Sequence, residues 1–211
     1  MSHKPTLDPS NNLDRLALDE SARFSRHAYA IYTWMLHFYG NPVTSIPVLA
    51  GIRCCRLTNP LCCCVCSKTK SSVTINKDNC CNGHLTALIA LSNLNESEII
   101  HCHFGNTIIE NPYTVLYDHK WRSVVISIRG TLSLEDCVTD ALAESDSLAP
   151  AGRKYGFDGE GEYAHSGILR ASLWILEDLE RNSTLEKAFK EQPDYQVRGF
   201  FLHGASERGN V

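Results

Sequence analysis

The sequence predicts an α/β protein, and three observations carry that prediction. Ser123–Ile128 (SVVISI) is a short β-branched apolar run, as expected of a buried strand. The residues after it switch to helical spacing, with apolar side chains at Leu132, Leu134, Val138 and Leu142. Other strand-like runs precede this unit and a long amphipathic helical pattern follows it, so the chain combines a sheet with helices.

The composition is that of an ordinary globular domain. The chain has 211 residues, of which 43% are hydrophobic, and its net charge is −4 from 20 Lys and Arg against 24 Asp and Glu. This slight acidity argues against nucleic acid as a partner, because domains that bind nucleic acid usually carry a basic surface. The composition leaves the oligomeric state unknown.

The first predicted element is a helix over Glu20–Tyr39. Its apolar residues recur at intervals of three and four: Phe24, Ala28, Ile31, Met35 and Phe38. Charged and histidine residues interrupt the pattern, so we expect a core or interfacial helix rather than a membrane span, with His27 and His37 at its surface or edge. Met1–Asp19 is polar and lacks the apolar stretch of a signal peptide, and we expect flexibility up to about Asn12.

A cluster of cysteines follows. It comprises Cys54, Cys55, Cys62, Cys63, Cys64 and Cys66. Zinc usually requires two C-x₂-C pairs, and disulfides require an oxidising compartment. S-acylation suits cysteines that basic residues flank at a membrane surface, so the six are lipidation candidates. Zinc, disulfides and free thiols in a loop or hairpin stay open as alternatives.

The central part of the chain predicts a short helical turn over Leu85–Leu94 and strands over Ile99–Phe104 and Tyr113–Asp118. A turn at residues 118–120 would join the second strand to Ser123–Ile128 as an antiparallel hairpin.

Two histidines lie two residues apart in the first of these strands. Alternation along a strand would place His101 and His103 on one face, which is a possible ligand geometry. Because no third ligand is evident, we expect two exposed strand residues and assign no metal site.

The predicted strand at Ser123–Ile128 ends in a tight turn. Arg129-Gly130-Thr131 breaks the apolar run, and Ser133 is a predicted N-cap for the helix that follows. In an α/β sheet, ligands bind where a strand ends and the next helix begins. Backbone N–H groups there are free to bind a negatively charged oxygen.

These residues resemble a known family. Ile128-Arg129-Gly130-Thr131, followed by Ser133, Asp136 and Asp140, resembles the oxyanion strand-turn of class 3 (fungal-type) lipases. From about Ala22 to Tyr195 the chain is similar to the sn-1-specific diacylglycerol lipases, most of all the beta type, and His165-Ser166-Gly167 fits the same family.

The resemblance implies an incomplete α/β-hydrolase sheet with an N-terminal helix and a Cys-rich insertion that faces a membrane. It implies a serine hydrolase that cleaves the sn-1 ester of diacylglycerol to give 2-monoacylglycerol and a fatty acid. The backbone N–H of Thr131 would stabilise the oxyanion, and a contribution of its hydroxyl stays open. Diacylglycerol and membrane lipid are the implied partners, the cytosolic side of the plasma membrane is the implied location, and calcium is a candidate cofactor of the family.

The C-terminal part of the chain begins with a predicted loop over Glu144–Tyr163, rich in Gly. In the lipase interpretation this loop would help form the mouth of the acyl pocket, and the alternative is a solvated linker. Ile168–Phe189 predicts a helix that Asn182-Ser183 kinks or splits and that Pro193 ends.

The resemblance also predicts a nucleophile in a G-x-S-x-G elbow, after a strand that starts near Tyr195. The 211 residues contain no such motif, and Arg208 stands where the second Gly would follow Ser206. We therefore expect Ser206 not to act as a nucleophile, and the triad to lie beyond Val211. The chain alone is then expected to be an inactive truncated isoform, and the alternative is a non-catalytic fragment that binds a membrane or a partner.

These inferences divide the chain into four segments. Residues 1–19 are a flexible N-terminal segment, and residues 20–98 contain the helix and the Cys-rich segment. Residues 99–196 are the N-terminal half of a hydrolase domain, and residues 197–211 are a divergent tail. Because only half of the sheet is expected, one of its edges would be exposed.

Overall fold

The structure is a computed structural model that describes residues 8, 10–33, 35–36, 73–78, 82–107, 109–130 and 144–201. Three predicted features lie outside the described residues: the cysteine cluster, the helix after Thr131, and the sequence around Ser206.

A five-stranded sheet forms the centre of the fold. Its strands are β1 (Thr74–Asn76), β2 (Ile99–His103), β3 (Tyr113–Asp118), β4 (Ser123–Ile128) and β7 (Gln196–Phe201), and they lie side by side in this order. Strand β3 is antiparallel to both β2 and β4, whereas β1 is parallel to β2 and β7 is parallel to β4. The predicted α/β class is confirmed, and this mixed sheet with its helices is consistent with part of an α/β-hydrolase sheet.

The predicted hairpin is also confirmed. Strands β3 and β4 pair without interruption from Asp118 with Ser123 to Tyr113 with Ile128. The predicted strand near Tyr195 is β7, which begins one residue later. The sequence boundary at residue 197 falls within β7, and the division into four segments stays a prediction.

Five helices and a small second sheet accompany the central sheet in the described part of the chain. The helices are α1 (Asn12–Ala30), α2 (Gly83–Ser92), α3 (Ala149–Tyr155), α4 (Ser166–Arg181) and α5 (Thr184–Glu191), with a 3₁₀ turn at Glu96–Glu98. Strands β5 (Ser145–Ser147) and β6 (Tyr163–His165) pair antiparallel. Within the described ranges, none of the helices has the length and apolar character that a membrane crossing requires.

The bounds predicted for the first helix are wrong. Helix α1 begins at Asn12, because the Asn11 side chain accepts a hydrogen bond from the Leu13 N–H at 3.1 Å and so caps it. The helix ends at Ala30, and Thr33 follows with a φ of 54°. Leu13, Leu16 and Ala17 follow helical spacing in the first turns of α1, but these turns are largely exposed, so the helix begins outside the core.

The prediction of a loop over residues 144–163 is also wrong. Pro150, near the start of α3, has the φ that a first helical turn needs, and Gly156 ends α3 at a φ of 78°. The predicted split of the later helix is confirmed, since α4 ends at Arg181 and α5 begins at Thr184.

Helices cover both faces of the sheet. On one face, Tyr113, Val115 and Val124 pack against residues of α4 and α5, including Ile175, Leu179 and Ala188. On the other face, Phe24 of α1 packs with Leu116 and Val125, and Leu85 and Leu88 of α2 pack with Ile99 and Cys102. The alternation of side chains along each strand therefore divides the core into two layers.

Candidate functional site

The candidate site lies where β4 and β7 end. Because the two strands are parallel neighbours, their carboxyl ends open on the same edge of the sheet, and Ile128 lies opposite Phe201. Neighbouring strands are about 4.8 Å apart, so the turn after β4 begins beside the segment that leaves β7. Ligands bind at this kind of edge in α/β sheets.

Two hydrogen bonds fix the backbone where it leaves β4. The Arg129 N–H donates to the Pro112 carbonyl at 2.9 Å, and the Gly130 N–H donates to the Tyr32 hydroxyl at 3.1 Å. Tyr32 is buried and packs in the core between α2 and the sheet. The start of the predicted oxyanion turn is therefore held by a side chain from a distant part of the sequence. Thr131, the predicted oxyanion residue, lies just outside the described residues.

The segment that carries Tyr32 is itself anchored to α2. The Thr33 hydroxyl and the His84 Nδ1 are 2.9 Å apart, and the Asp78 carboxylate accepts the His84 N–H at 3.1 Å. Burial lowers the pKa of His84, and the positive charge of Arg129 lowers it further, while Asp78 opposes both effects. His84 is therefore neutral at pH 7, and the segment is held by one hydrogen bond between the Thr33 hydroxyl and a neutral imidazole.

The prediction that His101 and His103 are exposed is wrong. Both side chains are buried, since β1 and β3 flank their strand and α4 covers the face on which they lie. The Tyr113 hydroxyl donates to Asp178 at 2.6 Å and lies 3.1 Å from the His101 Nε2. The His103 ring packs against Tyr113 and against Trp174 of α4, with a centroid separation of 4.8 Å to Trp174.

His103 and Tyr113 lie at the same edge of the sheet as the predicted oxyanion turn. The pairing register places His103 opposite Tyr113 and Tyr113 opposite Ile128, in one row that crosses the sheet to Phe201. His103 is therefore two strands from the end of β4. The His103 Nε2 lies 3.7 Å from a Glu110 carboxylate oxygen.

The prediction that His27 lies at the surface or the helix edge is also wrong. The side chain is buried, and its Nε2 lies 3.0 Å from a carboxylate oxygen of Asp118. Arg23 pairs with the same oxygen. His37 lies outside the described residues.

Neither Tyr32 nor Asp178 was predicted to belong to a site. Asp178 did give a signal, because it lies three residues after Ile175 and beside Leu179, so an acid occupies the apolar stripe of its helix. Tyr32 gave no such signal, because its partner is a backbone N–H that no side-chain pattern reveals.

The described residues do not supply a calcium site. Among them, no group of three or more His, Cys, Asp or Glu side chains could hold a metal ion. The six lipidation candidates fall outside the described ranges, and the cysteine inside them, Cys102, is buried.

The fold and the edge geometry define an α/β protein with a candidate ligand-binding edge at the ends of β4 and β7. No family model matches the chain. Mouse diacylglycerol lipase-beta is 30% identical over 197 residues, a match that covers 93% of this chain and 27% of the relative. Diacylglycerol lipase-alpha from rat and from human is 29% identical over 189 residues, which is 87% of this chain and 17% of each relative.

The predicted resemblance to the diacylglycerol lipases is therefore confirmed over most of this chain. The chain spans about a quarter of the beta-type relative and less than a fifth of the alpha-type relatives. A solved structure of a fungal lipase-inhibitor complex, titled as a model for interfacial activation in lipases, is 22% identical with a TM-score of 0.39 and covers 48% of this chain and 34% of that one.

Proposed function

We propose that this chain is the oxyanion-binding part of a diacylglycerol-lipase-like serine hydrolase. The observation that carries the proposal is the similarity to diacylglycerol lipase-beta over 93% of the chain. The position of the β4 turn supports it, because a nucleophile that followed β7 would arise beside this turn.

The hydrogen bonds of the turn support the assignment of Thr131 to the oxyanion. The Arg129 and Gly130 N–H groups already donate to Pro112 and Tyr32, so the next donor along the chain is the Thr131 N–H. In acyl transfer a serine attacks the ester carbonyl, and the carbonyl oxygen becomes an anion in the tetrahedral intermediate. A prearranged N–H donor stabilises that anion more than it stabilises the neutral ester, and so lowers the barrier.

The proposed substrate is diacylglycerol at a membrane surface. Hydrolysis at sn-1 would release a fatty acid and leave a 2-monoacylglycerol. The serine, histidine and aspartate of this reaction are not assigned to residues of this chain, since its 211 residues contain no G-x-S-x-G. We propose that the chain alone does not hydrolyse esters.

A chimaera tests the proposed role of the turn. Residues 99–196 of this chain would replace the matching segment of mouse diacylglycerol lipase-beta, and fatty acid release from diacylglycerol would be measured. We expect the chimaera to keep activity, and Thr131→Pro, which removes the N–H, to lower kcat about 100- to 1,000-fold. Thr131→Val keeps the N–H and is the matched control.

Two results would overturn this role. One is a folded Thr131→Pro chimaera, checked by circular dichroism, that is as active as Thr131→Val. The other is a folded but inactive parent chimaera beside an active mouse enzyme.

The second part of the proposal is peripheral membrane attachment through S-acylation of Cys54, Cys55, Cys62, Cys63, Cys64 or Cys66. Hydroxylamine-sensitive labelling of the chain from cells would detect the thioesters, and we expect replacement of all six by Ser to abolish it. Cys102→Ser is the control, because burial raises the pKa of that thiol to about 12 and keeps it unreactive. Labelling that persists without the six cysteines would contradict the assignment.

A further inference from the structure

A second candidate binding region lies at the opposite edge of the sheet. A cavity of about 630 Å³ opens at the amino ends of β4 and β7, lined by Trp121, Arg122, Asp194, Gln196 and Arg198. Ser123 of β4 lies opposite Gln196 of β7, five residues before the rung of Ile128 and Phe201. At about 3.3 Å per residue, the cavity is roughly 16 Å from the oxyanion turn.

One arginine of this cavity is held in place before any ligand arrives. The Arg198 guanidinium lies 5.0 Å from the centroid of the Phe24 ring and 6.0 Å from that of Trp121, and its Nη1 pairs with Glu20. A guanidinium has five N–H donors, and this ion pair engages one of its nitrogens. The side chain is 31% exposed, so the group is ordered and still open to solvent.

The second arginine lies on the turn that leads into β4. Arg122 has a φ of 46°, a left-handed conformation that is uncommon for a residue with a side chain. The Arg122 carbonyl accepts the Gln196 N–H at 3.1 Å, which ties the turn to the start of β7. The Arg122 Nη2 pairs with Asp194 at 2.9 Å, and the two side chains are 64% and 76% exposed.

The cavity lining has more basic than acidic residues. It includes Arg122 and Arg198 but a single acidic residue, Asp194, while the Glu20 that pairs with Arg198 is not among the lining residues. An exposed ion pair such as Arg122 with Asp194 stabilises the fold by about 1 kcal/mol or less, so an incoming anion can replace the carboxylate at small cost. Arginine is suited to phosphate because its planar N–H pairs match two phosphate oxygens.

We propose that this cavity binds a phosphate monoester, with Arg122 and Arg198 as the two ligands of the phosphate group and Trp121 as the wall beside them. The phosphate could belong to a free phosphorylated molecule or to the headgroup of a lipid. This site is separate from the proposed hydrolase site and does not rest on it.

Isothermal titration calorimetry of the 211-residue chain with inorganic phosphate tests the site. We expect saturable binding that Arg122→Gln weakens about tenfold, the loss of roughly one charge-assisted hydrogen bond. Asp194→Asn, which removes the competing carboxylate, is expected to tighten binding about threefold. Arg153→Gln is the matched control, because Arg153 is 67% exposed and pairs with Glu160 far along the chain from the cavity residues.

The proposal predicts opposite changes in phosphate affinity for the two cavity variants, a decrease for Arg122→Gln and an increase for Asp194→Asn. Ion pairs without a phosphate site would not give this pattern. No saturable binding by either wild-type or Asp194→Asn protein would overturn it, and so would equal effects of Arg122→Gln and Arg153→Gln. Flotation with phosphatidylcholine vesicles, with and without phosphatidic acid, distinguishes the two sources. Binding that requires phosphatidic acid and Arg122 identifies a lipid headgroup, and phosphate binding without vesicle binding identifies a free molecule.

Discussion

The two faces of the central sheet bury similar polar groups but satisfy them differently. Under α1, the Asp118 carboxylate accepts hydrogen bonds from Arg23, from His27 and from the Trp121 N–H at 3.1 Å. Under α4, both ring nitrogens of His103 are buried without a hydrogen-bond partner among the described residues. The α1 face therefore has a fully paired carboxylate as its anchor, although the His27 Nδ1 and the Trp121 Nε1 beside it are buried without a hydrogen-bond partner among the described residues. The His103 ring on the α4 face has no hydrogen bond from either nitrogen within those residues.

The buried ionisable groups of the two faces also differ in their protonation states. Burial alone would raise the pKa of Asp118, but hydrogen bonds from Arg23 and His27 outweigh it and lower that pKa, so the group is ionised at pH 7. Burial lowers the pKa of His101 and of His103, although Asp178 and Glu110 partly oppose the effect. The α1 face thus keeps a paired carboxylate, whereas the buried histidines of both faces are neutral, because burial lowers the pKa of His27 as well.

Removing the carboxylate of the α1 face should have the largest effect on stability. Asp118→Ala takes the shared acceptor from Arg23, His27 and the Trp121 N–H, and we expect a loss of about 3 kcal/mol in the free energy of unfolding. Urea denaturation measures it. Glu160→Gln, which breaks an exposed pair with Arg153, is the control and should cost less than about 0.5 kcal/mol. Equal costs would show that the α1 face is not an anchor.

The matching change on the α4 face should cost less. Tyr113→Phe removes the hydroxyl that donates to Asp178 and lies against His101, and we expect a loss of roughly 2 kcal/mol in the same assay. Tyr163→Phe, at a side chain that is 66% exposed, is the control and should be neutral. A Tyr113→Phe protein more destabilised than Asp118→Ala would reverse the comparison.

Acid should act through the α4 histidines. Their folded pKa values lie below the ordinary value of 6.5, so the unfolded chain takes up protons first and stability falls as pH drops below about 6.5. Each of the two contributes up to about 1.4 kcal/mol per pH unit, a contribution that is complete above pH 6.5. His27 titrates in the same direction, so the test compares slopes: His103→Gln should flatten the loss between pH 6.5 and 5. An unchanged slope would exclude His103 as a source of the acid sensitivity.

The smallest predicted effect is local to the candidate site. Tyr32→Phe removes the acceptor of the Gly130 N–H, worth about 1 kcal/mol, so exchange of the Gly130 amide with deuterium should be about fivefold faster. The Val125 amide, in the middle of β4, should be unaffected. Tyr29→Phe is the matched control, because the Tyr29 hydroxyl donates to the Leu36 carbonyl instead. Equal Gly130 exchange in both variants would show that Tyr32 does not hold the turn.

The sheet was more predictable than the polar network inside it. Alternating or continuous apolar runs located β2, β3 and β4, because strand periodicity and burial act on consecutive residues. The histidines were misplaced because α4 covers the face of the sheet on which they lie, and the partner of His101 comes from that helix, far along the chain. Such long-range pairing has no local signature.

The turn after β4 was likewise only partly predictable from the sequence. The strand and the Gly turn were predictable from residues 123–130, whereas the support of that turn by Tyr32 depends on how α1 and α2 pack. Helix α1 was placed too late although Leu13, Leu16 and Ala17 follow helical spacing directly after the cap Asn11, because the polar composition of residues 1–19 indicated flexibility. Capping and tertiary hydrogen bonds thus decided features that composition did not reveal.

We propose above all that this chain contributes the oxyanion turn of a lipase-like site and that Ser206 is not a nucleophile. Labelling of the folded 211-residue chain with a fluorophosphonate serine-hydrolase probe, beside the Ser206→Ala variant, tests the claim most directly. The account predicts no labelling of either protein. Labelling that is present in the wild type and disappears in Ser206→Ala would contradict it, and would make Ser206 an activated nucleophile.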